Sequence, residues 1–159
     1  MDFETEETYV CSPGRLHELL TDRAFVEARL EATGGGAIVE IGPRRVVTTR
    51  QVKASLPSFA ATLLNDVQTV TQTEEWADPA VSAPEVTGVF SGKAPGTPVA
   101  VSGSLRIHGD ETSCTLHVRG HVEVKVPFVG GKIAELVREQ IVKNLRREHA
   151  FTVSWLTAH

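Results

Sequence analysis

The 159-residue chain predicts an α+β fold, with a curved, mostly antiparallel seven-stranded sheet wrapped around a long C-terminal helix and two short helices after the first strand. Three observations carry that expectation. Segments that alternate apolar and polar residues recur from Ala37 to Val126, a one-sided helical stripe runs from Gly131 to near the end, and two short capped helical patterns follow the first strand. A helix with one apolar face must lie against a dry surface, and a sheet with one dry face supplies it.

Taken in order, Phe3 to Cys11 alternates Phe3, Thr5, Tyr9 and Cys11 against Glu4, Glu6 and Thr8, which reads as a strand with one wet face. Ser12-Pro13 supplies an N-cap and a proline at the first helical position, ahead of Leu16, Leu19 and Leu20. Asp22 opens a second short helix with Phe25, Val26 and Leu30 inward, ended by Gly34-Gly35-Gly36. AIVEIG and VVTTRQV form a hairpin through Gly42-Pro43-Arg44. The apolar insert from Leu56 to Leu64 interrupts the strands, which resume with VQTVTQTEEW, EVTGVF, VAVSGSLRIH and CTLHVRGHVEVKV. In the last two strands Val99, Val101, Leu105 and Ile107 share a face, as do Leu116, Val118, Val122 and Val124. In the final helix Ile133, Ala134, Val137, Ile141 and Leu145 share a stripe. Val118 and Leu105 are expected to meet Val137 and Ile141 in a buried layer between sheet and helix.

One domain spanning residues 1–159 fits this length, and neither an internal repeat nor a linker interrupts it. Hydrophobic residues make up 41% and charged residues 23%, the profile of a globular protein. A net charge of -4 offers no basic field to nucleic acid, and Arg44, Arg45 and Arg50 read as a solvated strand end. No apolar run approaches the ~20 residues a membrane span needs. The acidic start MDFETEETY lacks the basic and apolar regions of an export signal, and Cys11 and Cys114 stand apart as unpaired thiols, so a cytoplasmic protein is expected.

Four stretches, YVCSPGRLHELLTD, ASLPSFAATLL, the EEW that ends one strand and VPFVGGKIAELVREQI, together span nearly the whole chain. Through them the sequence resembles the START-like (SRPBCC) superfamily, and more narrowly an uncharacterised, mainly actinobacterial family of unknown function. The resemblance implies the helix-grip arrangement, with an internal cavity for lipids, sterols, polyketides or other apolar molecules. Some superfamily members are cyclases or hydrolases, others are transporters or chaperone partners. The family offers no catalytic residues to carry over.

Chemical motifs are sparse. Gly131-Lys132 suggests a phosphate loop, but that loop needs glycine at 126 and Ser or Thr at 133, where this chain has Val126 and Ile133. The glycines instead turn a buried strand into a helix, with Phe128 and Val129 covering the corner. His117 and His121 flank Arg119 on the polar strand face without a third ligand, so no metal and no cofactor are expected. No GxSxG motif occurs, and Glu74 and Glu75, adjacent on a strand, point to opposite faces. No catalytic residue is assigned.

The leading expectation is therefore a hydrophobic small molecule or lipid held between the dry sheet face and the C-terminal helix. Candidate cavity residues are Tyr9, Phe59, Trp76, Phe90, Leu105, Val118, Val137, Ile141, Asn144 and Glu148. Asn144 and Glu148 lie on the apolar side of the last helix, where they would either hold a ligand's polar end or sit on a wet face beyond the sheet; the second is preferred. The Leu56 to Leu64 insert with Phe59 at its middle reads either as a lid or as the core edge. Two other classes remain: a cyclase- or hydrolase-type enzyme using Glu148 or Tyr9, and a protein-interaction domain with a filled core.

Overall fold

A computed structural model describes residues 1–53, 67–77 and 84–159. Its elements follow the expected order. They are β1 (Asp2–Tyr9), α1 (Pro13–Leu20), α2 (Arg23–Ala32), β2 (Gly36–Ile41), β3 (Arg45–Lys53), β4 (Val67–Trp76), β5 (Glu85–Lys93), β6 (Val99–Gly109), β7 (Cys114–Val124) and α3 (Gly130–Ala158). The seven strands make one sheet in the order β1-β7-β6-β5-β4-β3-β2, every neighbour antiparallel. The Leu56 to Leu64 insert, with Phe59, lies outside the described residues.

Local chemistry explains both short helices. Ser12 accepts a hydrogen bond from the Arg15 backbone N–H, with Pro13 at the start of α1, and Asp22 accepts one from Phe25 N–H at the start of α2. Past α2, Gly34 and Gly35 adopt positive φ of 116° and 96°, a conformation that suits residues without Cβ. The buried faces of α1 and α2 supply Leu16, Leu19, Phe25 and Val26 to the core. Phe25 also meets Phe151 and Trp155 of α3, at ring centroid distances of 5.7 and 5.5 Å. The C-terminal half of α3 is thereby fastened to α2, and its N-terminal half packs over the sheet through Ile133 and Ala134.

A row of four residues lets the sheet curve. Phe3 of β1 faces Gly120 of β7, Gly120 faces Gly103 of β6, and Gly103 faces Phe90 of β5. A Cβ on Gly120 would stand 2.3 Å from Phe3 Cζ, and one on Gly103 would stand 2.7 Å from Phe90 Cε1. Gly120 therefore makes room for the Phe3 ring, and Gly103 for the Phe90 ring and for the backbone of β7, whose Arg119 O would lie 2.0 Å from a Cβ; the two ring centroids lie 6.4 Å apart over the concave face.

The strand-to-helix corner differs from the sequence reading. Phe128, not a glycine, takes the positive φ there (67°), and its ring is fully exposed instead of covering the turn. Gly130 is needed for another reason, since a Cβ there would approach Val124 O to 2.9 Å. Val129 does pack inward, against Ile133.

Candidate functional site

Between the concave sheet face and α3 lies a cavity of about 460 Å³. Its wall follows α3 from Leu136 to Glu148, a helical rise of roughly 18 Å. Along most of that length the lining is apolar: Phe3, Phe90, Val101, Leu105 and Val118 from the sheet, with Leu136, Val137 and Ile141 from the helix. Val118 and Leu105 are buried at 4% and 8% exposure, as expected. Val137 and Ile141 are only half-buried, because each packs in part against the core and in part borders the cavity.

Polar groups gather where α3 meets α2, β3 and β4. Arg50 Nη1 donates to Glu148 Oε1 at 2.8 Å, and Arg50 Nη2 donates to Thr33 Oγ1 at 3.0 Å. Asn144 Nδ2 donates to the same Glu148 oxygen at 3.1 Å. Thr152, one turn further along, caps the Glu148 carbonyl through its hydroxyl at 2.7 Å. Burial works to raise the Glu148 carboxyl, but Arg29 and Arg50 beside it win and hold it below the usual carboxylate range. The preferred sequence readings are thus overturned twice. Asn144 and Glu148 are not on a wet face, and Arg50, 7% exposed, is not part of a solvated strand end. Arg45 does behave as one, bridging Glu40 and Glu75 at the surface.

Glu74 behaves oppositely to Glu148. It lines the cavity from β4, accepts a hydrogen bond from Gln72 Nε2 at 3.0 Å, and is pushed above the usual range by burial, against the pull of Arg29. Glu75 points the other way, as strand alternation requires. Trp76 lies in the wall with its indole N–H buried near Glu74, and none of the described residues accepts a hydrogen bond from it in good geometry. Its ring sits edge-on to His17 at 5.3 Å, and His17 Nε2 donates to the Pro43 carbonyl at 2.9 Å. Burial lowers the His17 pKa, which leaves that ring a neutral prop behind the wall.

Of the candidates named from sequence, Trp76, Phe90, Leu105, Val118, Val137, Ile141, Asn144 and Glu148 stand on the cavity wall. Tyr9 does not: its ring is buried against His149 at 4.9 Å, and burial raises its phenol well beyond the ordinary range. Phe59 falls outside the described residues. Sequence reasoning missed Arg29, Arg50 and Glu74. A signal for Arg29 existed, because position 29 follows 25 and 26 at helical spacing and so shares their inward face.

Elsewhere, the described residues bring Glu4, Glu6 and His117 close enough to hold a metal ion, but on the exposed outer face of β1 and β7, with His117 bonded to Glu4. His121 pairs separately with Asp2 at 2.6 Å. Cys11 and Cys114 are free thiols that adjoin each other across the start of β7. No helix among the described residues is long and apolar enough to cross a membrane.

The chain is similar to known proteins over almost its whole length. A family model described as "Protein of unknown function (DUF2505)" matches residues 4–156. Uncharacterised proteins of Mycobacterium tuberculosis and Mycobacterium bovis are 25% identical to it over 171 residues, covering 98% of this chain and 96% of theirs. Among solved structures, a protein of Thermus thermophilus superposes with a TM-score of 0.67 at 14% identity, covering 97% of this chain and 98% of that one. A Streptomyces aromatase/cyclase gives 0.65 at 15% identity, with 97% and 92% covered. A START superfamily protein of Mycobacterium smegmatis gives 0.57 at 15%, with 98% of each chain covered. At these identities the likeness establishes the fold, which is the helix-grip fold of START-like proteins.

Proposed function

We propose that this chain, which belongs to the DUF2505 family of proteins of unknown function, binds an apolar or lipid-like small molecule in the cavity between sheet and C-terminal helix. The observation that carries the reading is the cavity itself. At about 460 Å³ it falls in the range of small-molecule sites, and it is apolar along most of its length with polar groups gathered at one end. Apolar burial would supply affinity at about 25 cal/mol per Å² before ordering costs, and the polar end would fix orientation. The empty volume counts against a filled-core interaction domain.

Native mass spectrometry of the protein as purified tests the reading. A bound mass that survives desalting and is released by denaturation, or saturable uptake of a medium-chain amphiphile by the stripped protein, is the expected result. A stripped protein that takes up no apolar probe removes the reading.

A second reading, a cavity enzyme of the cyclase kind, is favoured by one observation: a cavity carboxyl, Glu74, with its pKa raised toward the range of a general acid. The structural similarity to an aromatase/cyclase is compatible with it. Glu148 and Tyr9 are poor candidates, the first locked in an ion pair and the second off the cavity wall. Turnover of an aromatic-forming polyketone that Glu74→Gln abolishes, with uptake unchanged, would favour the enzyme.

A further inference from the structure

The polar end of the cavity holds a guanidinium to which no described carboxylate is directly bonded. Arg29 lines the cavity from α2 and is 8% exposed. Its guanidinium lies 5.5 Å from the centre of the Phe25 ring. No carboxylate oxygen among the described residues comes within 4.0 Å of it, whereas Arg50 holds Glu148 at 2.8 Å. Glu148 is already engaged by Arg50 and Asn144, and Glu74 accepts a hydrogen bond from Gln72. Arg29 thus has no carboxylate bonded to it directly, and Glu148 and Glu74 act on it only from beyond ion-pair distance. A buried, unpaired cation is among the most costly arrangements a protein can hold, so a counter-ion is the expected complement.

We infer that Arg29 receives the head group of the ligand, and that the ligand is an apolar chain ending in a carboxylate. The inference rests on the cavity-binding reading and deepens it. A carboxylate supplies the direct partner that Arg29 lacks, and its two oxygens match the planar fork of a guanidinium. A doubly charged head such as a phosphate monoester would leave an excess charge beside Glu148. The apolar tail then runs along α3 past Ile141 to Val137. At about 30 Å³ for each water-sized group, the cavity takes roughly fifteen heavy atoms, the size of a medium-chain fatty acid.

The experiment uses the full chain, stripped of bound lipid, titrated calorimetrically with dodecanoate, dodecanol and dodecylammonium. Dodecanoate should bind roughly tenfold or more tighter than dodecanol, the alkylammonium more weakly than either. Arg29→Lys should keep most of that preference, and Arg29→Met should bring the acid-to-alcohol ratio near one while dodecanol still binds. Equal affinity of the wild-type protein for dodecanoate and dodecanol overturns the inference and leaves the cavity reading standing. So does loss of the preference in Lys93→Gln/Lys143→Gln, two exposed lysines at the cavity rim, with Arg29 intact. Should Arg29→Met not fold, the wild-type ratio and the two lysine replacements still decide the matter. Failure of the wild type to bind any of the three probes overturns both readings together.

Discussion

Arg50 on β3 and Glu148 on the C-terminal helix meet at 2.8 Å across the end of the cavity, with side chains only 9% and 15% exposed. The pair joins the sheet to the helix at the polar end of the cavity. Removing one partner breaks the direct contact in a poorly solvated place, so Arg50→Met should cost about 3 kcal/mol in urea unfolding. Arg50→Met/Glu148→Leu should recover most of that loss. Unfolding midpoints equal to wild type for the single variant would show that Arg29 alone suffices to hold Glu148. Because the folded Glu148 pKa is depressed, its contribution is present above its unfolded pKa and is lost as pH falls through the folded one.

Glu74 should act with the opposite sign. Its folded pKa is raised, so the folded state binds the extra proton, and stability falls as pH rises from the unfolded value of about 4.3 through the folded one. Glu74→Gln keeps the shape and removes the ionisation. The variant should therefore be as stable as wild type near pH 4 and more stable than wild type in alkaline buffer. A stability difference that does not change with pH would mean that Glu74 is ionised throughout.

The contrast between these two carboxyls marks the limit of what the sequence discloses. Strand and helix periods place Val118, Leu105 and the α3 stripe correctly, because burial on one side forces a regular pattern. The same pattern is silent on how far apart two apolar faces stand, so Val137 and Ile141 read as fully packed core although part of each borders the cavity. Charged residues inside the stripe carry the rest. Arg29 shares the inward face of Phe25 and Val26, and Arg50 alternates in step with Val46, Thr48 and Val52, yet a residue's charge alone suggests solvent. The glycines at 103 and 120 were visible too, but their meaning depends on Phe3 and Phe90 standing opposite, which only strand order reveals.

Gly120 offers a direct test of the sheet's curvature. Alanine there would place its Cβ 2.3 Å from the Phe3 ring, so Gly120→Ala should cost about 1–3 kcal/mol. Phe3→Leu in the same chain should return part of that loss, since the obstacle is a side-chain tip and not backbone. No coupling between the two substitutions in a double-mutant cycle would show that the ring moves aside freely.

Cys11 and Cys114 should be unreactive in the folded protein. Burial pushes both thiols up, Cys114 to about 12, and only the thiolate attacks an alkylating agent. Iodoacetamide at neutral pH should label neither at a rate comparable to the urea-unfolded chain, as read by intact mass. Rapid native labelling of Cys114 would contradict the burial described for it.

The last prediction uses two residues one turn apart on α3. Ile133 is fully buried among Val99, Val124 and Val129, whereas Val137 is half-buried and borders the cavity. Ile133→Phe adds volume to a packed place and should cost about 1–3 kcal/mol through strain. Val137→Phe adds its ring to empty space, where new contacts offset the lost freedom, so stability should stay within about 1 kcal/mol of wild type. Uptake of dodecanoate should respond in reverse. Val137→Phe occupies the path of the apolar tail and should weaken binding roughly tenfold, while Ile133→Phe should leave it nearly unchanged in the folded fraction. If Val137→Phe instead destabilises as much as Ile133→Phe and leaves uptake intact, helix and sheet are in contact at that level and the ligand lies elsewhere.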